Sequence, residues 1–238
     1  KQRVIGYGTT GFDSKFIKEG VIVDHEKMAA HLVDLFSNHV IGRVNTRRVA
    51  LTIPAARTFT RNITMPLLEE DELAEAVRLE AEQYIPLPID TMYLDYTVIN
   101  RTDKEIELLV VAVQKIIVDS HYQLMEVAGL EAVAFDTSIL AAGRLFEKQD
   151  IHNEIPSVLI DFGSMSSDIT IHDKTVIVTG TILSGGDTFT EQIAKKLKIS
   201  HKEAHVVKAK YGLSKSKKQK EIEQAIKPAE DWLPRTKL

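Results

Sequence analysis

The stretch 158–171 combines residue types that bind phosphate and magnesium, placed in a tight turn between two predicted strands. Glycine lets the backbone come close to a ligand, and the N–H groups and serine hydroxyls of such a turn hydrogen-bond phosphate oxygens. Asp161 ends the incoming strand, where a carboxylate can hold a magnesium ion through its waters. An ordinary hairpin with small turn residues explains this stretch equally well. The candidate ligands are Asp161, Gly163, Ser164, Ser166 and Asp168.

A second stretch, Ser184 to Thr188, favours the phosphate interpretation. A strand ends here in Gly185 and Gly186, and a helix follows. A helix N-terminus opened by glycines is a ready anion site. The two stretches together predict a magnesium and phosphate site, with Asp161 and Asp168 as its carboxylates.

Composition excludes several other kinds of chemistry. Of the 238 residues, 44% are hydrophobic and 27% are charged, which is typical of a globular protein, and the net charge of −4 gives no argument for nucleic acid. Cysteine is absent, so no thiol nucleophile or disulfide framework is present. The eight histidines lack metal-ligand spacing and are predicted to be surface or satisfied core residues. No apolar run reaches the length of a membrane span.

The order of predicted elements divides the chain into three domains. Residues 1–56 and 131–147 have α/β texture and predict one lobe, with the piece 57–130 inserted between its parts. The predicted order of elements in that piece is strand, helix, strand, strand, helix. It contains no cluster of catalytic residues, which indicates a module that contacts another molecule. Residues 157–238 hold both phosphate stretches and end in a basic, frayed segment; a polar linker precedes them.

Helix-terminal residues give local predictions. Asp24 is expected to cap one helix, Gly129 to follow the last turn of another, and Ser200 with Glu203 to form a capping box. The acidic run 69–72 fits a first helical turn better than a metal cluster, because adjacent helix positions diverge in direction.

Together these residues resemble the actin-like ATPase superfamily and, within it, the type IV pilus assembly protein PilM family. The similarity covers most of residues 1–212. It includes the two phosphate stretches, and the helix beginning at Ser200 is similar to one whose acidic and lysine positions reach the ribose. The more specific motifs are Arg61-Asn62-Ile63-Thr64-Met65-Pro66, the run Glu80 to Asp90 containing Tyr84-Ile85-Pro86-Leu87-Pro88, and Ala128-Gly129-Leu130.

The resemblance implies an actin-like (ribonuclease H-like) two-lobed α/β fold, incomplete here, with an inserted α+β module. It implies ATP and Mg²⁺ as cofactors, adds Gly185, Gly186 and Glu203 to the nucleotide-binding residues, and makes Asp161 the metal contact. The family's first phosphate loop and its closing part are absent, so this chain is expected to bind ATP weakly or not at all. Hydrolysis is expected to be weak or absent. His205 and Leu68 stand where the family more often has an acid and a capping serine.

The resemblance also implies a partner. Members of the family are expected to lie in the cytoplasm at the inner membrane face and to hold the short cytoplasmic tail of a PilN-like membrane protein where the module meets the first lobe. The expected contacts are Phe59, Ile63, Met65, Tyr84, Ile85 and Pro86, although the apolar residues near Pro86 fit plain core equally well. A cell-division actin homologue and a small-molecule kinase are the alternatives. The first needs a membrane-targeting helix and the second an acceptor-facing carboxylate, and neither is visible.

Overall fold

The computed structural model describes residues 3–149, 155–173, 175–212 and 220. Residues 150–154 of the predicted linker 147–156 lie outside the described residues, as do residues 213–219 and 221–238 of the predicted basic end. The strands are β1 (Gly6–Gly8), β2 (Ile17–Lys18), β3 (Val21–Ile22), β4 (Val40–Gly42), β5 (Arg48–Ile53), β6 (Thr58–Pro66), β7 (Met92–Arg101), β8 (Glu105–Gln114), β9 (Glu131–Thr137), β10 (Ser157–Phe162), β11 (Ser167–Asp173) and β12 (Thr175–Ile182). The helices are α1 (His25–Asp34), α2 (Glu70–Ala81), α3 (Lys115–Val127), α4 (Ser138–Gln149), α5 (Gly186–Leu197) and α6 (His201–Tyr211).

The chain divides into two compact units. The first comprises Lys1–Ser157 with Thr170–Thr179, and the second comprises Val158–Ile169 with Gly180–Leu238. Within the first unit β5 pairs with β9 in parallel, from Arg48 opposite Glu131 to Ile53 opposite Thr137. An insertion of residues 57–130 requires this pairing, and the exact domain bounds stay a prediction.

The predicted module forms a three-stranded antiparallel sheet in the order β6-β8-β7, with α2 packed on it. Leu73 and Val77 recur at helical spacing on α2 and are buried against Ile106 and Leu108 of β8. Since β8 is the central strand, β6 and β7 are both edges of this sheet. The predicted order of strand, helix, strand, strand, helix is confirmed.

A second core lies under α1 and α3, where Met28 packs with Leu124 and Met125. Both predicted helix ends here are confirmed. The Asp24 side chain accepts a hydrogen bond from the Lys27 amide at 3.1 Å, and Gly129 has a φ of +70° after the last turn of α3.

One buried histidine is satisfied by its neighbours, as the composition predicts. His172 is 1% exposed, its Nε2 lies 3.0 Å from Glu147 Oε1 of α4, and its ring meets Phe146 edge-on. Beside it, a Cβ on Gly143 would lie 2.8 Å from Val176, so glycine is what lets this turn of α4 approach β12. These contacts lie within the first unit.

The second unit contains α5 and α6, which pack through Ile193 and Ala204, both fully buried. The predicted capping box of α6 is confirmed: the Glu203 amide donates to Ser200 Oγ, and the Ser200 amide donates to Glu203. None of the described helices is long and apolar enough to cross a membrane.

Candidate functional site

A groove with a cavity of about 330 Å³ lies in the first unit, where β7 and β8 face β9 and α4. It is therefore bounded on one side by the predicted module and on the other by the predicted lobe. We call it the β7–β9 groove. Its lining residues are Ile53, Tyr93, Leu94, Asp95, Tyr96, Thr97, Leu109, Val111, Val113, Val118, Phe135, Asp136, Thr137, Leu140 and Arg144.

The β7–β9 groove has an apolar floor and walls set by strand register. Tyr93 lies opposite Val113, Asp95 opposite Val111, and Thr97 opposite Leu109, so these side chains share one face of the sheet. The apolar residues of β8 form the floor of the groove, and Val118, Phe135 and Leu140 come from the other elements. An apolar groove beside an edge strand, which β7 is among the described strands, suits an extended, partly apolar peptide.

The rim of the β7–β9 groove is held by side-chain contacts. The Tyr93 hydroxyl donates to Asp119 Oδ1 at 2.9 Å, which raises the pKa of Tyr93, and Lys115 Nζ lies 5.5 Å from its ring centre. On the opposite wall, Arg144 of α4 pairs with Asp136 of β9. The contacts with Asp119 and Lys115 orient Tyr93, and 47% of this residue stays exposed.

The six predicted partner-binding residues lie elsewhere in the same unit, on β6 and after α2. Ile63 and Ile85 are buried in the core of the sheet, whereas Pro86 is exposed. Met65 is half-buried against the cluster that contains Ile63, and Phe59 is half-buried against the cluster that contains Ile85. None of the six is among the described residues that line the β7–β9 groove.

Tyr84 is half-buried in the same region. Its hydroxyl is buried without a hydrogen-bond partner among the described residues, and burial raises the pKa of Tyr84. The Arg61 guanidinium lies 4.7 Å from the ring centre. Contact of all six residues with a partner stays a prediction. It requires the buried side chains of Ile63 and Ile85 to become exposed.

The predicted phosphate loop in the second unit is closed by its own backbone. The Gly186 amide donates to the Gly163 carbonyl at 2.9 Å, and the Asp187 amide donates to the Ser164 carbonyl at 2.8 Å. The sequence predicts that the first amides of α5 face an anion. In the structure these amides instead hold the carbonyls of Gly163 and Ser164. A Cβ on Gly185 would lie 2.5 Å from the Gly163 carbonyl oxygen, which explains the glycine by close approach of two loops.

The predicted nucleotide-binding side chains fall into two groups. Asp161 and Ser164 are exposed at the end of β10, and Ser166 is half-buried. Asp168 is buried and accepts a hydrogen bond from Thr181 Oγ1 at 2.6 Å, so its carboxylate has a structural partner. Glu203 is likewise engaged in its capping box. Among the described residues no cluster of three metal-binding side chains occurs.

Comparison with known proteins identifies the family. A family model described as type IV pilus assembly protein PilM matches residues 3–224. The chain belongs to this family. The predicted membership is confirmed, because the match covers most of the chain.

Solved structures support the fold. A structure described as the PilM–PilN type IV pilus biogenesis complex gives a TM-score of 0.83 at 23% identity, covering 94% of this chain and 65% of that one. The chain therefore spans slightly less than two thirds of that relative. This likeness confirms the predicted actin-like α/β fold. Two weaker likenesses carry no argument. MreB5 of Spiroplasma citri bound to AMPPNP gives a TM-score of 0.46 at 16% identity, covering 91% of this chain and 59% of that one. The ethanolamine utilization protein EutJ of Carboxydothermus hydrogenoformans gives a TM-score of 0.36 at 20% identity, covering 47% of this chain and 37% of that one.

Lys208 is a residue of this PilM-family chain that the sequence analysis did not assign to the site. Its Nζ donates to the Gly186 carbonyl at 2.7 Å, which brings an ammonium group to the first turn of α5. A lysine one to two turns after Glu203 on the same helix is the signal that would have found it. With Asp161 and Ser164, it gives the second unit a cation, an exposed carboxylate and an exposed hydroxyl.

The capping box gives a pH prediction. Hydrogen bonds from Ser200 hold the pKa of Glu203 below its ordinary value. A carboxylate with a lowered folded-state pKa stabilises the fold above its unfolded-state pKa, and that contribution disappears as the pH falls through the folded-state value. We therefore expect the stability difference between wild type and Glu203→Gln in urea unfolding to be largest near neutral pH. It should shrink once the pH falls below the ordinary pKa of a glutamate and disappear below the lowered folded-state pKa. An unchanged difference at acidic pH would contradict the role of the charged carboxylate.

Proposed function

We propose that this chain is part of an actin-like scaffold of type IV pilus assembly that binds the cytoplasmic tail of a PilN-like inner-membrane protein in the β7–β9 groove. The scaffold then lies at the inner face of the cytoplasmic membrane through its partner. Membership in the PilM family and the apolar groove beside the edge strand β7 support this proposal. The related structure described as a PilM–PilN complex makes a PilN-like protein the first partner to test.

The groove is the observation that carries the proposal. It is about as large as the smaller ligand pockets of proteins, its floor is apolar, and polar groups lie at its rim. An extended peptide gains main-chain hydrogen bonds from an edge strand and specificity from pockets for alternate side chains. The predicted groove at Phe59 and Tyr84 has less support, because Ile63 and Ile85 there are core residues.

Isothermal titration calorimetry of this chain with a synthetic tail peptide of the neighbouring inner-membrane pilus protein tests the proposal. We expect saturable one-to-one binding that a scrambled peptide of the same composition does not show. Binding of both peptides with equal affinity would remove the proposed function.

We propose further that the whole protein binds ATP with Mg²⁺ and hydrolyses it weakly or not at all. The phosphates of ATP and the Mg²⁺ ion would be held at the loop 163–166. Ser164 would donate to a phosphate oxygen, and Asp161 would accept from the waters of the Mg²⁺ ion. Lys208 would add an opposite charge near the phosphates. The bound Mg²⁺ would supply the positive charge that Asp161 balances, and the phosphates would supply the negative charge that Lys208 balances. Asp168 and Glu203 would act by holding the hairpin and α6 in place.

Asp161→Ala in the full-length protein is expected to abolish magnesium-dependent ATP binding and to leave the fold intact, because Asp161 is exposed at a strand end. Titration with fluorescently labelled ATP, with and without Mg²⁺, measures the affinity, and circular dichroism checks the fold. Asp103→Ala, at an exposed turn of the first unit, is the matched control. Equal affinities for wild type and Asp161→Ala would remove Asp161 from the site.

A further inference from the structure

The β7–β9 groove combines an apolar floor with unbalanced charge. Of the described residues that line it, the charged ones are Asp95, Asp136 and Arg144, so two carboxylates face one guanidinium. The excess is one negative charge beside an apolar surface. A ligand that fits both properties carries apolar side chains and a positive charge.

The two carboxylates are not equivalent. Asp136 is 22% exposed at its side chain, pairs with Arg144 through Oδ2, and accepts the Thr137 amide at Oδ1. Its charge is already balanced by the protein.

Asp95 is exposed on the opposite wall, and its Oδ1 accepts the Tyr96 amide at 2.8 Å. That contact orients the carboxylate, and no cationic side chain pairs with it in the described part of the chain. Asp95 is therefore the charge of the groove that a ligand can pair with.

We propose that Asp95 recognises a lysine or arginine of the bound tail while the floor of the groove holds the apolar residues beside it. The proposal rests on the proposed function, since it assumes that a membrane-protein tail occupies the groove. Short cytoplasmic segments next to a membrane span carry an excess of Lys and Arg. A groove with one free carboxylate suits such a segment and disfavours an acidic one.

Strand register places Asp95 where it can act this way. It lies between Tyr93 and Thr97 on the groove face of β7, directly opposite Val111 of the apolar floor. A peptide that pairs with the free edge of β7 would run directly beside this strand, so a long basic side chain on its groove face would lie within reach of Asp95. The ion pair would be partly exposed, so it would contribute modestly to affinity and be weakened by salt.

The test measures binding of two peptides to wild type and to four variants, Asp95→Asn, Asp103→Asn, Tyr93→Ala and Leu140→Ala, by calorimetry at low and high salt. One peptide is the natural tail of the neighbouring inner-membrane pilus protein, and the other has each Lys and Arg replaced by Gln. Asp95→Asn removes the charge with little change in shape, and Asp103→Asn is the control at a distant exposed turn. We expect Asp95→Asn to weaken binding of the natural peptide by about twofold to fivefold at low salt, with a smaller effect at high salt. The neutral peptide should bind wild type and Asp95→Asn equally.

The outcomes separate this inference from the proposed function. If Asp95→Asn binds the natural peptide as wild type does while Tyr93→Ala weakens it, the tail is in the groove and the charge is not read. If Asp95→Asn weakens both peptides equally, its effect comes from the shape of the groove, and the inference is again overturned. If Tyr93→Ala, Leu140→Ala and Asp95→Asn all bind as wild type does, the groove is not the site and both proposals fail.

Discussion

Replacing Tyr93 with alanine is expected to weaken binding of the tail peptide by about 1–3 kcal/mol, roughly fivefold to 150-fold in Kd. Tyr93 lines the β7–β9 groove, is half exposed, and is held by its hydrogen bond to Asp119 and by Lys115 at its ring. An aromatic ring oriented before binding loses little conformational entropy on contact, so such residues concentrate binding energy. Calorimetry with the natural peptide measures the effect.

Two further tyrosine variants serve as controls for this prediction. Tyr122 on α3 is 48% exposed, as Tyr93 is, but does not line the groove, so Tyr122→Ala should bind as wild type does. Tyr93→Phe keeps the ring and should retain most of the affinity. Equal losses in Tyr93→Ala and Tyr122→Ala would show that the effect does not come from the groove.

Gly185→Ala is expected to destabilise the second unit by about 1–3 kcal/mol or more, because the added Cβ would overlap backbone that cannot move aside. The new atom would lie 2.5 Å from the Gly163 carbonyl oxygen and 2.6 Å from that of Ser164. Those carbonyls accept the Gly186 and Asp187 amides, so separating the loops also breaks these two hydrogen bonds. Urea unfolding followed by circular dichroism measures the loss.

Gly180→Ala is the matched control in the same unit. Nothing lies within 4 Å of a Cβ built on Gly180, so alanine there should change the stability by less than about 0.5 kcal/mol. Wild-type stability in Gly185→Ala would mean that the loops are not packed as the structure has them.

The sequence predicted best what local spacing controls. The caps at Asp24 and Ser200 and the glycine after α3 depend on residues within one turn of each other, so a short window contains their physics. The strand and helix order of the module followed from hydrophobic period in the same way. The parallel pairing of β5 with β9 required only that two strands of one lobe flank an inserted piece.

The groove could not be predicted as well, because its walls are far apart in the chain. Tyr93 and Phe135 are separated by two elements, and only the order β6-β8-β7 decides which edge of the sheet faces β9. The residue pattern favoured β6 as the partner-binding strand, and that stays a prediction, although Ile63 of β6 is buried in the core. The alternation of Tyr93, Asp95 and Thr97 was visible, but it is also what a solvated strand face presents.

The phosphate loop shows a second limit of local patterns. Glycines and a helix start are typical of an anion site, yet the amides of Gly186 and Asp187 donate to the carbonyls of the neighbouring loop. Which acceptor an amide finds depends on how two loops meet, and a sequence motif does not specify this. Asp168 is comparable, since its partner Thr181 lies on the next strand.

Hydrogen exchange of this chain with and without the tail peptide, read by mass spectrometry, tests the central claim most directly. If the peptide lies along the edge of β7, amide exchange should slow in residues 92–101 and 131–144 and stay unchanged in residues 58–66 and 82–87. Protection confined to residues 58–66 and 82–87 would place the tail at the edge of β6 and contradict the β7–β9 groove as the binding site.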